Sequence, residues 1–167
     1  ADPHEVGAPR RPEAQPQMTS PRAISHAAPV AVLGAGSWGT ALAILLARKG
    51  LRVRLWARRP SLARLMARQG RNPEYLSEFA LPEQVEPHEA LDEALAAVQL
   101  VVLAAPTKGM RWLLRLMGPI LSDHQALLIA AKGLESRTGL RMSQVVEATL
   151  GSKWQPRIAV LSGPNLA

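Results

Sequence analysis

Cysteine is absent from the 167 residues. That excludes disulfides, thiolate metal sites and thiol nucleophiles, and it is compatible with a cytoplasmic setting. Aromatic residues are scarce at 4%. The arginine-rich stretch from Arg52 to Arg71 holds no acidic residue and offers only Trp56 and the nearby Tyr75 as stacking platforms. RNA-binding surfaces usually interleave more aromatics with their basic groups, so the net charge of +7 reads as a solvated face and not as a nucleic-acid site. Long apolar runs are missing too. The longest, around 41–47 and 98–106, fall well short of the ~18 residues a membrane span requires. The N-terminal stretch has no continuous apolar segment, so no secretory signal is expected. His4, His26, His88 and His124 show no metal-ligand spacing, and no metal is expected. Neither a Gly-x-Ser-x-Gly elbow nor a lysine placed for a Walker loop is present, which ranks acyl and phosphoryl transfer low.

What is present is a strand–turn–helix signal at the start of the folded region. Val30-Ala31-Val32-Leu33 runs into Gly34-Ala35-Gly36-Ser37-Trp38-Gly39, which opens an apolar-periodic helix. Gly34 suits a tight turn off the strand, Gly36 lets a diphosphate approach the backbone, and Gly39 lets the helix pack close to the sheet. The N–H groups and positive dipole end of that helix then face the phosphates.

Residues 1–28 are rich in Pro, Ala, Arg and Gln without hydrophobic period, and are expected to be a disordered tail with Met18 as a candidate initiator. From residue 29 the pattern alternates strand and helix. Strands are expected at 30–33, 52–56, 84–86, 100–104, 126–130 and 158–161. The first helix carries Leu42, Leu45 and Leu46 inward and stops at Gly50. The second begins at Pro60 and buries Leu62, Leu65 and Met66. A third starts at Pro87 and buries Leu91, Ala94 and Leu95. A fourth is capped by Thr107 and buries Met110, Leu113, Leu114 and Met117, and a fifth spans 140–150. Wholly apolar strands between helices predict an α/β fold, a doubly wound parallel sheet of Rossmann type, making up one dinucleotide-binding domain over 29–167.

Ligands of such sheets bind beyond the carboxyl ends of the strands. An NAD site usually has an acid about 20 residues past the glycines, for the ribose 2′-hydroxyl. This chain has Trp56-Ala57-Arg58-Arg59 there and no acid until Glu74. An arginine pair suits a 2′-phosphate, so NADP(H) is expected to bind at least as well as NAD(H); the other reading of Arg58 and Arg59 is an ordinary solvated pair. Lys132 ends an apolar strand and projects at the same rim, as a donor to phosphate or carbonyl or else as a solvated charge. Asn165 and the backbone after Gly163 add donors at the next strand end, where the alternative is a Gly-Pro turn closing the domain.

The segments Gly34-to-Ala43, Leu55-Trp56-Ala57-Arg58, Asn72-Pro73-Glu74-Tyr75-Leu76, Ala131-Lys132-Gly133-Leu134-Glu135 and Leu161-Ser162-Gly163-Pro164-Asn165-Leu166-Ala167 resemble, in order and spacing, the amino-terminal domain of bacterial-type NAD(P)-dependent sn-glycerol-3-phosphate dehydrogenases. The resemblance implies that Ser37, Trp38, Arg58, Arg59 and Tyr75 contact NADP(H) or NAD(H). By it, Lys132 touches cofactor and substrate, Gly163 and Asn165 meet the substrate, and Ala167 meets the cofactor. Asn165-Leu166 departs from the Ser or Thr followed by Phe or His of many members, while keeping a donor and an acceptor. The resemblance further implies a second, helical domain that supplies the general-base lysine, so no catalytic residue is expected up to Ala167. It implies a cytoplasmic enzyme of glycerophospholipid synthesis that interconverts dihydroxyacetone phosphate and sn-glycerol 3-phosphate, and a possible homodimer at full length. The competing readings are a related reductase of a keto or hydroxy acid and a non-catalytic basic Rossmann module.

Overall fold

In a computed structural model, described over residues 28–163, every strand is parallel to its neighbours. The elements alternate as β1 (Val30–Leu33), α1 (Ser37–Arg48), β2 (Val53–Trp56), α2 (Pro60–Gln69), β3 (Val85–His88), α3 (Leu91–Leu95), β4 (Leu100–Leu103), α4 (Thr107–Met117), β5 (Ala126–Ile129), α5 (Met142–Leu150) and β6 (Ile158–Val160). A 3-10 segment, Ser152–Arg157, leads into β6. The strand order β3-β2-β1-β4-β5-β6 is that of the doubly wound dinucleotide fold. The expected tail lies at 1–28, almost wholly outside the described residues.

Alternation along the strands divides the core. Ala31 and Leu33 of β1 face one way with Val101 and Leu103, packing under α4 and α5 residues such as Met110, Leu114 and Val145. Val30 and Val32 face the other way with Val53 and Leu55, against Leu42 and Ala43 of α1 and Leu62 and Met66 of α2. Both faces of the central strands are therefore buried, which is why those strands are apolar throughout.

Five local expectations give way. Pro87 does not begin a helix; it is the third residue of β3, paired with Leu55 of β2. β3 is an edge strand, where a residue without an N–H costs no ladder bond. Leu45 is 54% exposed, because α1 approaches the sheet through Gly39, Ala43 and Ala47 and turns that leucine outward. Ala63 takes the inward place expected of Leu65, which is half-buried. Thr107 is the first helical residue of α4 and caps nothing; Pro106 occupies the cap position. The fifth helix starts at Met142, with the Arg141 N–H donating to Gln144 Oε1 at 3.0 Å.

Candidate functional site

The topological switch point lies between β1 and β4, whose crossovers leave in opposite directions. Gly34 leaves β1 at φ +121°, and a Cβ there would stand 2.9 Å from the Ala104 carbonyl carbon at the end of β4. Only glycine fits that approach. Gly39 is tighter still, since an added Cβ would lie 1.7 Å from the Gly34 carbonyl oxygen. Gly36 is different: it holds the N-cap of α1 in extended backbone, and a Cβ on it would meet nothing within 4 Å. No side chain caps α1. Its first-turn N–H groups have no acceptor inside the helix and point toward the strand ends.

A cavity of about 680 Å³ opens in front of this turn, within the range of small-molecule sites. Gly34, Gly36, Ser37, Trp38, Arg58, Arg59, Tyr75 and Lys132 all line it, so residues as far as 98 positions apart meet at one place. Gly39 lies behind the wall and serves packing. The Trp38 indole N–H donates to the Ala130 carbonyl at 3.0 Å, joining the first turn of α1 to the end of β5. Its ring edge is therefore engaged with backbone, and what it presents to the cavity is its apolar body.

The end of β2 supplies one wall. Arg58 and Arg59 do not act as a matched pair. Arg59 donates to the Glu74 carboxylate, which raises its already high pKa. Arg58 has no ion pair among the described residues. Glu74 and Tyr75 are held in place by Asn72, which is completely buried. Its Nδ2 donates to Ala35 O at 3.0 Å and Thr40 Oγ1 at 2.8 Å, and its Oδ1 accepts from the N–H groups of Glu74 and Tyr75, each at 3.2 Å. One amide thus fastens the loop after α2 to the glycine turn. Sequence reasoning gave Asn72 no task of its own; an Asn-Pro step between helix and strand reads as a turn.

β5 supplies the opposite rim. The Lys132 ammonium donates to the Gly163 carbonyl, which brings the ends of β5 and β6 together. Three residues on, Glu135 is nearly buried and bidentate with Arg111 of α4, both contacts 2.8 Å. Thr138 Oγ1 donates to the same carboxylate at 2.5 Å, and Arg111 also reaches Thr149 Oγ1 of α5 at 3.2 Å. The Arg111 guanidinium and then the Thr138 hydroxyl hold the Glu135 carboxyl down at about 2. This cluster anchors the turn that carries Lys132. Asn165 and Ala167 lie outside the described residues.

Three further lining residues were missed: Lys108, Trp112 and Trp56. Trp56 and Trp112 stack with centroids 6.5 Å apart, and the Trp56 N–H donates to Glu89 O at 3.1 Å. No sequence pattern marks Trp112, because its exposure depends on which face α4 turns to the sheet: Met110, Leu113, Leu114 and Met117 are buried and Trp112 is not. The cavity therefore carries Arg58, Arg59, Lys108 and Lys132, with no carboxylate among its lining residues. Such a wall, beside an uncapped helix start, selects an elongated anion with an apolar part. Among the described residues no cluster of His, Asp or Glu is placed to hold a metal ion, and no helix is long and apolar enough to cross a membrane.

Residues 29–167 match the family model described as NAD-dependent glycerol-3-phosphate dehydrogenase N-terminus. The chain is 50% identical over 142 residues to a glycerol-3-phosphate dehydrogenase (NAD(P)+) of Nocardia farcinica, covering 82% of this chain and 42% of the relative. It superposes on the crystal structure of a glycerol-3-phosphate dehydrogenase from Coxiella burnetii with a TM-score of 0.77 at 34% identity, over 85% of this chain and 42% of that one. A Saccharomyces cerevisiae glycerol-3-phosphate dehydrogenase gives a TM-score of 0.71 at 21% identity, over 83% and 42% of the two chains, a likeness of fold alone. The chain thus spans about two fifths of the length of the relatives it matches.

Proposed function

Since the chain belongs to the family of NAD-dependent glycerol-3-phosphate dehydrogenase N-termini, we propose that it is the cofactor-binding part of an enzyme that interconverts dihydroxyacetone phosphate and sn-glycerol 3-phosphate with NADP(H) or NAD(H). The observation that carries this reading is the cation-lined cavity in front of a glycine turn whose Gly36 leaves the backbone open. That cradle fits the group: Gly36 lines the cavity with open space where a Cβ would stand, and the α1 start offers N–H donors to a diphosphate.

In this reading Gly36, Ser37 and Trp38 hold the diphosphate, and Gly34 and Gly39 shape the turn that presents them. Arg58, Arg59 and Tyr75 hold the adenosine-ribose end. Lys132 orients cofactor and phosphorylated substrate together, with Gly163 and Asn165 on the substrate side and Ala167 on the cofactor side. The bound nicotinamide supplies or accepts the hydride. Removal of the hydroxyl proton falls to a general base outside these residues. The substrate is a small phosphorylated alcohol or ketone, and nucleic acid has no place among the partners. We further place the enzyme in the cytoplasm, as a homodimer at full length, feeding glycerophospholipid synthesis.

Calorimetric titration of the chain with NADPH and NADH tests the reading. Saturable binding of at least one is expected, and Arg58→Asp with Arg59→Ala is expected to weaken NADPH more than NADH. No binding of either dinucleotide would reject the site. Equal losses for both would reject the 2′-phosphate role of the arginines.

A further inference from the structure

The end of β2 lacks the acid of an NAD-type site, yet the fold returns one to it. Glu74 stands fifteen positions beyond Arg59 and accepts a hydrogen bond from its guanidinium. An ion pair between two wandering surface side chains contributes little. This one is registered by backbone: the Glu74 N–H is held by Asn72 Oδ1 at 3.2 Å, and Asn72 in turn grips Ala35 O at 3.0 Å in the glycine turn. The carboxylate is thereby placed relative to the same turn that faces the cavity. Arg59 lines that cavity and Glu74 does not, so the acid draws on the guanidinium from outside the wall. Arg58 lines it with no such partner among the described residues.

We propose that Glu74 is a specificity-determining residue, the counter-ion that offsets Arg59 at the adenosine-ribose end and so lets one site accept NAD(H) beside NADP(H). The proposal rests on the cofactor reading above. A 2′-phosphate brings two negative charges to a guanidinium already engaged by Glu74, whereas a 2′-hydroxyl brings none. Freeing the Arg59 guanidinium from its carboxylate partner is worth about fivefold in affinity for a doubly charged group at a solvated rim, and less as salt rises. Arg59 already has an ion-pair partner in Glu74, while Arg58 has none among the described residues.

The test is calorimetric titration of the 167-residue chain with NADPH and NADH, for the parent, Glu74→Gln, Arg59→Ala and the double variant. Glutamine keeps the side-chain length and the backbone bond to Asn72, so the loop stays in place. Glu74→Gln is expected to tighten NADPH about fivefold and to leave NADH within about twofold, at low salt. In the Arg59→Ala background the gain is expected to fall below about twofold, because the carboxylate acts chiefly through that guanidinium. A merely structural role for Glu74 would move both dinucleotides alike. An unchanged or weakened NADPH affinity in Glu74→Gln, or an equal shift for NADH, overturns the proposal while leaving the cofactor site standing. Absence of binding by the parent chain overturns the cofactor reading and this proposal with it.

Discussion

Two glycines of one turn should respond to the same methyl group in opposite ways. At Gly39 an alanine Cβ would stand 1.7 Å from the Gly34 carbonyl oxygen and 3.2 Å from Ala104 Cβ. Ordinary contact is about 3.5 Å, so α1 must retreat by more than an ångström from a backbone obstacle that has no rotamer to change. Overpacking of this kind costs about 1–3 kcal/mol, and a backbone clash belongs at the upper end. For a domain of this size that is a loss of roughly 5–10 °C in Tm. At Gly36 the backbone is φ −79°, ψ −177°, which alanine adopts without strain, and its Cβ meets nothing within 4 Å. Alanine stabilises such a site by about 0.4–1 kcal/mol through the unfolded chain. It gives back a similar amount as a poorer N-cap, roughly 0.5 kcal/mol or more. Gly36→Ala should therefore melt within about 2 °C of the parent. Its methyl nevertheless enters the space in front of the helix N–H groups, and dinucleotide affinity should fall at least about tenfold, or 1.4 kcal/mol. Thermal melts with calorimetric NADPH titration read both quantities. Parent-like NADPH binding by Gly36→Ala would refute the diphosphate seat, and a parent-like Tm for Gly39→Ala would refute the packing argument.

Asn72→Ala removes an amide that serves four backbone and side-chain partners inside the protein. A loss of about 2–4 kcal/mol in urea denaturation is expected, since several groups are left unpaired, and a loss under 1 kcal/mol would show that water replaces it. Trp38→Phe deletes the bond to Ala130 O and is expected to cost about 1 kcal/mol in the same assay; no change would mean that the indole packs without needing its donor. The Glu135 carboxyl titrates at about 2 in the fold against an ordinary 4.5. Its folded value is depressed, so its contribution is complete above about pH 4.5 and fades as the pH falls toward 2. The stability gap between the parent and Glu135→Gln should be flat above pH 5 and shrink below about pH 4. A gap independent of pH would remove the Arg111 pair from the account.

The order of strands and helices was legible because burial on both sheet faces leaves its mark residue by residue: Val30 to Leu33 and Leu100 to Leu103 have no polar position. Reading failed where a residue's meaning depends on its neighbour in space. Pro87 looks like a helix start until β3 is known to be an edge. Leu45 looks inward until Gly39, Ala43 and Ala47 are seen to bring α1 against the sheet. The glycine turn was legible for the reason the strands were, since its chemistry lies within six consecutive residues, Gly34 to Gly39. Arg58 and Arg59 were legible as charge at a strand end, but not as unequal partners.

By itself, then, the order of residues determined the doubly wound alternation and the shape of the turn after β1, because both follow from backbone sterics and burial along short stretches. Tertiary structure decided which charges act. Glu74 reaches Arg59 across 15 positions, Asn72 reaches Ala35 across 37, and Arg111 reaches Glu135 across 24. Those meetings exist only once loops close over the strand ends, and a hydrogen bond or ion pair depends on distance and angle that no spacing along the chain contains.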